Sequence, residues 1–198
     1  MNFMTRRRFL VWLVLPVLVL LASCGRQPAQ REVPHSVEPE RAVGVDILTG
    51  RVVSVADGDT ITVLDANNVQ HRIRLSGIDA PESHQAFGTQ SKKNLSELVF
   101  GRDVTVIYEK TDQYGRLVGK IIVEGKDVNL AQVKSGMAWH YKEYQREQTP
   151  EDRELYARAE DEARAQHRGL WQDSNPVEPS QFRREQREER RSKSATEN

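Results

Sequence analysis

Three short stretches of this chain gather side chains of the types that hold hard cations and anionic groups. In Asp57-Gly58-Asp59-Thr60, two carboxylates flank a glycine. Carboxylate oxygens are hard donors, and a close pair of them makes a compact corner for a divalent cation with a loose oxygen shell. Asp-Gly is also an ordinary turn dipeptide, and alone it decides nothing. In Arg72-Ile73-Arg74-Leu75-Ser76-Gly77-Ile78-Asp79-Ala80-Pro81-Glu82, alternation puts Arg72 and Arg74 on one side of a strand, and Asp79 and Glu82 follow within a turn. Strands alternate arginine with apolar residues for solubility too, but here Gly77 and Pro81 fix the backbone beside the two acids. The third stretch, Thr111-Asp112-Gln113-Tyr114-Gly115-Arg116, is a polar loop between two apolar runs, and by itself an ordinary hairpin loop.

Five strand-like runs position these stretches. Residues 49–56 and 60–65 are rich in Val and Ile, and Asp57-Gly58 parts them. Ala66-Asn67-Asn68 is turn chemistry leading into 69–76, where His71, Ile73 and Leu75 alternate with Gln70, Arg72 and Arg74. Runs at 103–108 and 117–123 follow. A helix is predicted over 89–100 from the stripe Leu95, Leu98 and Val99, and a second over 128–135 with Leu130, Val133 and Met137 on one face. A third begins with Thr149 as cap, Pro150 in the first position and Asp152 as capping-box partner. It buries Leu155, Ala159 and Ala163, and Gly169 ends it. Three strands, a helix, two strands and then helices is the order of an OB-fold: an α+β, mainly β domain with a five-stranded Greek-key barrel and about three helices. Such barrels commonly bind oligonucleotides across one face.

The chain has 198 residues, room for one domain and appendages, and its formal charge is zero. Removing Arg6-Arg7-Arg8 and the rest of the first 24 residues leaves 26 basic against 29 acidic groups, a net −3. A broad basic surface is therefore excluded, and any contact with nucleic acid must rest on a focused site. Residues 1–24 read as an address. The apolar run from Phe9 to Ala22 is shorter than the ~20 residues that span a bilayer and suits a signal peptide. Its Thr5-Arg6-Arg7-Arg8-Phe9-Leu10 start is similar to a twin-arginine export signal. Cys24, the only cysteine, follows Leu21-Ala22-Ser23 as in a bacterial lipobox, so lipidation at Cys24 is expected, and no intramolecular disulfide can form. Gly25 lacks the acid that would retain a lipoprotein in the inner membrane, which favours the outer one. Residues 25–45 read as a flexible linker, 46–176 as the working domain, and 177–198 as a charged, solvated, disordered tail with Arg183-Arg184 and Arg190-Arg191 in near balance with acids.

Taken together, Val55-Ala56-Asp57-Gly58-Asp59-Thr60, the run Arg74 to Glu82, Asp112-Gln113-Tyr114-Gly115-Arg116 and the closing Arg168-Gly169-Leu170-Trp171 resemble the staphylococcal nuclease (thermonuclease) family. The resemblance covers roughly residues 50–171 in order and spacing. It implies calcium-dependent hydrolysis of DNA and RNA to 5′-hydroxyl and 3′-phosphate products. It makes Asp59 and Asp79 carboxylate ligands of Ca2+, adds the carbonyl of Ala80, and leaves Asp57 as an acid just outside the shell. Glu82 becomes general base or the group that orients the attacking water, while Arg74 and Arg116 clamp the phosphate. Tyr114 would lie along the nucleotide, and Tyr141, or Tyr144 in a shifted register, would touch phosphate. Gln113 stands where the staphylococcal protein has lysine. His71, His84 and His140 show no metal-like spacing. The competing reading is a non-catalytic OB module that binds nucleic acid or protein. The presence of Asp59, Asp79, Glu82, Arg74 and Arg116 together favours the enzyme. DNA or RNA, a membrane through the lipid anchor, and a monomeric state complete the expectation.

Overall fold

In the computed structural model, residues 44–196 are described, with side chains through 195. The leader, Cys24 and the linker up to residue 43 lie outside the described residues. Strand alternation sets the architecture. β1 (Asp46–Val55), β2 (Thr60–Leu64), β3 (Gln70–Leu75), β5 (Asp103–Thr111) and β6 (Leu117–Val123) form one sheet in the order β3-β2-β1-β5-β6, and β3 pairs with β6 to close it. That last pairing is parallel, through Ile73–Leu117, Arg74–Val118 and Leu75–Gly119, and the other barrel neighbours are antiparallel. The result is the closed five-stranded barrel expected of an OB-fold, with no open edge between first and last strand. Register shifts at Val52/Ser54 and Tyr108/Lys110 give β1 and β5 the bends that closure needs.

Inward residues fill the barrel: Val52, Ile61, Val63, Ile73, Leu75, Val106 and Ile121 are almost wholly buried. Three helices cover it. α1 (Gly88–Val99) contributes Leu95 and Val99, α2 (Val128–Lys134) contributes Val133, and α3 (Pro150–Ala165) contributes Tyr156 and Ala159 to the same core. α3 starts as the sequence signals demand, with Thr149 Oγ1 accepting from Asp152 N at 3.1 Å and Pro150 at the first position. A second cluster joins Trp139, Ala163, Leu170 and Trp171. There Arg164 stacks 3.9 Å from the centre of the Trp171 ring.

Two features depart from the sequence reading. The first is a pair of two-residue strands, β4 (Ile78–Asp79) and β8 (Trp139–His140), antiparallel to each other; β7 (Lys126–Asp127) is a further short strand that turns back to pair antiparallel with β6. The second is the C-terminal segment. Residues 177–198 were expected to be a disordered tail, yet Pro179–Thr196 forms a helix, α4. Its opposite charges lie four residues apart, as in Glu189–Lys193 at 2.7 Å, and Gln181 donates to Glu185 at 2.8 Å. Spacing that balances the charge in composition thus also supports the helix.

Candidate active site

The acidic corner follows from strand register. Thr60 opens β2 opposite Arg74, and Asp59 O extends that ladder by accepting from Leu75 N at 2.8 Å. Asp59 is thereby fixed beside Arg74. Gly58 is required for this approach: a Cβ there would fall 1.9 Å from Ser91 Oγ and 2.7 Å from the Ala80 methyl. Gln132, buried in α2, donates to Gly58 O at 2.7 Å and ties the turn to the helices. Asp57 accepts from Asp59 N at 3.0 Å and so shapes the turn from outside.

Asp79 arrives from β4. The β4–β8 ladder pairs it with Trp139, and Tyr141 N continues the ladder by donating to Gly77 O at 2.9 Å. Gly77 has a φ of 71°, in the left-handed region that favours glycine, and a Cβ would collide with the Gln148 side chain. Ala80 N donates to Asp59 Oδ2 at 2.8 Å, joining the two acid-bearing segments directly.

Arg74 organises the corner. Its Nη1 donates to the carbonyls of Leu75 and Ile78 at 2.8 and 2.9 Å and lies 3.2 Å from Asp59 Oδ2. Its Nη2 donates to Asp79 Oδ1 at 2.9 Å. One guanidinium therefore serves two carboxylates, both buried. Burial pushes the Asp59 carboxyl up to about 7; Arg74 opposes that rise, while Asp57 and Asp79 add to it. Burial likewise raises Asp79, against a hydrogen bond from Arg183 and the charge of Arg74. Isolated buried carboxylates cost several kcal/mol each, so a corner with more acids than arginines calls for further positive charge.

The opposite wall is the loop between β5 and β6. Asp112 Oδ1 accepts from Tyr114 N and Arg116 N at 2.9 and 3.0 Å. Its Oδ2 takes Arg116 Nε and Nη2 at 2.8 and 2.7 Å. The Arg116 guanidinium also lies 5.5 Å from the centre of the exposed Tyr114 ring. Because Leu117, next in sequence, pairs with Ile73, Arg116 comes to the same end of the barrel as Arg74.

A cleft of about 850 Å³ runs between these walls. Every residue singled out in the domain lines it: Asp57, Asp59, Arg74, Asp79, Ala80, Glu82, Tyr114, Arg116 and Tyr141. Tyr144 lines it too, with its ring 4.8 Å from that of Tyr141, so both candidates for the tyrosine position border the same space. The Tyr141 hydroxyl is pushed up to about 12 by burial and then by the charge of Asp79. His71, His84 and His140 do not line the cleft. His140 is instead hydrogen-bonded to Gln148 at 2.8 Å.

Sequence reasoning missed Arg183. From α4 its Nη1 reaches Glu82 Oε1 at 2.8 Å and Asp79 Oδ1 at 3.2 Å, and its Nη2 reaches Asp79 Oδ2 at 2.9 Å. Burial works against its charge, but the bonds to Asp79 and Glu82 outweigh that and hold it even more firmly protonated than an ordinary arginine. The Arg183-Arg184 pair was visible in the sequence, though nothing local distinguishes its first member. Among the described residues no three His, Cys, Asp or Glu side chains converge as a ready metal cage, because Asp59 and Asp79 turn toward arginines.

Comparison with known proteins agrees with this site. The family model described as staphylococcal nuclease homologue matches residues 72–173. A protein of Haemophilus influenzae named "Uncharacterized endonuclease" is 36% identical over 184 residues, 93% of this chain and 89% of that protein. A protein of the same name from Escherichia coli O157:H7 is 44% identical over 131 residues, covering 66% of this chain and 81% of its own length. The "Micrococcal nuclease" of Shigella flexneri is 41% identical over 144 residues, 68% of this chain and 80% of its own. With its closed barrel, its buried acid pair and these relatives, the chain belongs to the staphylococcal nuclease family and is a nuclease, a hydrolase acting on nucleic acid.

Proposed function

We propose that this nuclease hydrolyses phosphodiester bonds of DNA and RNA with calcium, leaving 5′-hydroxyl and 3′-phosphate ends. The observation that carries the reading is the sharing of one Arg74 guanidinium by the buried Asp59 and Asp79, in a cleft that Glu82 and Arg116 also line. Two carboxylates and the Ala80 carbonyl make a hard-oxygen donor set, and the open cleft leaves room for water to fill a loose shell. Those three residues would hold the cation, which when bound supplies positive charge beside the phosphate oxygens.

The chain's own residues do the rest. Arg116, held in the cleft by Asp112, places a fixed positive charge where phosphoryl oxygens gain negative charge in the transition state. Arg74 keeps the two acids in place and adds its charge from below. Glu82, with its side chain 39% exposed, is placed to accept a proton from water and remain in contact with solvent. Tyr114 and Tyr141 offer flat surfaces along the cleft for a nucleotide.

The direct test is breakdown of plasmid and RNA by the purified chain with calcium and then with a chelator, with the product ends mapped. Activity that persists in chelator, or 5′-phosphate ends, would remove the calcium reading. Glu82→Gln should lower kcat by about 10²–10⁴, as loss of a general base does. We further place the domain in the cell envelope, facing periplasm or exterior on a lipid anchor. The lipobox-like Leu21-Ala22-Ser23-Cys24 supports this. Equal fatty-acid labelling of wild type and Cys24→Ser would exclude it.

A further inference from the structure

We propose that α4 is an intramolecular strap whose Arg183 competes with the divalent cation for Asp79 while it also engages Glu82, so that cation binding and strap release are one equilibrium. The proposal rests on the calcium reading above and adds a gate to it.

Geometry makes the competition direct. Arg183 takes both oxygens of Asp79, one of them jointly with Arg74, and one oxygen of Glu82. A calcium ion bonds carboxylate oxygens at about 2.4 Å and needs the same lone pairs. With Arg74 and Arg183 already on Oδ1 and Arg183 on Oδ2, a cation at Asp79 would sit against the Arg183 guanidinium and be repelled by it. Glu82 is also the group proposed to take a proton from water. The Glu82 oxygen that accepts from Arg183 cannot accept from water along the same direction, so the strap engages base and cation site at once.

The strap is built to hold loosely. Its approach is pinned where Gln85 Nε2 donates to Val177 O at 2.6 Å, and the half-buried Phe182 borders an apolar notch with Phe87, Trp139 and Leu170. Arg183 follows immediately. Arg187, one turn on, lines the cleft as well, so α4 borders the cleft over a full turn. From Glu188 onward the helix is exposed wherever its side chains are described. Within α4 Pro179 is buried and Ser180, Phe182, Arg183 and Gln186 are half-buried, so its first two turns alone hold it, and such a terminal element belongs to the part of a fold that opens first. Its own charge pairs, such as Glu189–Lys193, keep it soluble when it lifts.

The test is calorimetric titration of calcium into the full chain at fixed pH, without substrate, for wild type, Arg183→Gln and Phe182→Ala. Hydrogen exchange of residues 179–195 is followed in parallel. If the strap is closed in about nine molecules of ten, its removal tightens apparent calcium binding about tenfold, because affinity scales with the competent fraction. Arg183→Gln should show that gain. Phe182→Ala, which leaves the acids untouched, should move in the same direction. Saturating calcium should speed exchange across α4 in the wild type. Equal calcium affinity in all three proteins, or α4 protection unchanged by calcium, would overturn the strap while leaving the calcium reading intact. Unchanged calcium affinity with a raised KM in Arg183→Gln would overturn it in favour of a plain substrate contact. Absence of calcium binding in every variant would bring down the calcium reading and the strap together.

Discussion

Two hairpin loops of this barrel share one construction and serve different ends. In the β2–β3 loop, Asp65 Oδ1 accepts from Asn67 N and Val69 N, both at 2.8 Å, and Asn68 takes the left-handed conformation at φ 61°. In the β5–β6 loop, Asp112 Oδ1 accepts from Tyr114 N and Arg116 N, and Gly115 is left-handed at φ 76°. The main chain repeats as well: Asp65 N donates to Val69 O at 3.0 Å and Asp112 N to Arg116 O at 2.9 Å. Only the cargo of the second carboxylate oxygen differs. Asp65 Oδ2 meets His71 Nε2 at 3.0 Å, and Asp112 Oδ2 grips the Arg116 guanidinium. Neither Asp65 nor His71 lines the cleft. One turn device thus closes a hairpin in the first case and aims a permanent charge in the second. The backbone of a loop is set by its aspartate and its left-handed residue; its function is set by one side chain and by the barrel end on which it sits.

Exchanging the cargo should have the largest effect. Arg116→Lys keeps the charge and loses the planar fork, so kcat should fall by about 10²–10³ with the loop intact, as for a lost oxyanion donor. A change in KM alone would make Arg116 a binding residue. Removing the holder comes next. Asp112→Ala frees Arg116 to wander, and misplacement of a reacting group by about 1 Å can cost up to about 10²-fold in kcat. Asp112→Asn retains the oxygen that accepts from the main chain, so it should recover part of that loss. No recovery would mean that the charge on Asp112, not its shaping of the loop, matters. The matching change in the other loop, Asp65→Ala, should lower Tm slightly and leave kcat untouched, since it disturbs the turn far from the cleft.

The smallest effect concerns acid. The hydrogen bond to His71 leads in holding Asp65 below its ordinary carboxylate value, with Val69 N next. For Asp112, burial alone would raise the carboxyl, but Arg116, through its N–H and then its guanidinium, carries the balance downward. A carboxyl lowered in the fold stabilises it fully above the unfolded value, 3.8, and loses that contribution as pH falls through the folded value. Tm differences between wild type and Asp65→Asn or Asp112→Asn should therefore be constant above about pH 5 and shrink in stronger acid. A difference that instead grew toward low pH would reverse the sign assigned to these carboxylates.

The same division explains how far the sequence could be read. The barrel strands were legible because each is a run rich in Val and Ile or, in β3, alternates apolar with polar residues, and α3 because Thr149 and Pro150 announce its start. The acidic and arginine side chains of the cleft were legible through their motifs, although roles within the site rest on geometry. The ladder between Ile78–Asp79 and Trp139–His140 was not legible, since two residues carry no periodicity. α4 escaped for another reason. Its composition is that of a solvated segment, and its seating depends on Pro179, Phe182 and Arg183, residues that look ordinary until the cleft is folded beneath them.

That short ladder bears on when the enzyme becomes active. Asp79 is seated by Trp139, sixty residues further along the chain, whereas β2–β3 and β5–β6 are local hairpins. Contacts distant in sequence form late, after the entropy of closing their loops has been met. During synthesis, a chain still lacking residues 139–140 carries every barrel strand but no ladder partner for Asp79. Between the synthesis of Val123, which ends the last barrel strand, and that of Trp139, the growing chain therefore carries a barrel without a finished acidic corner.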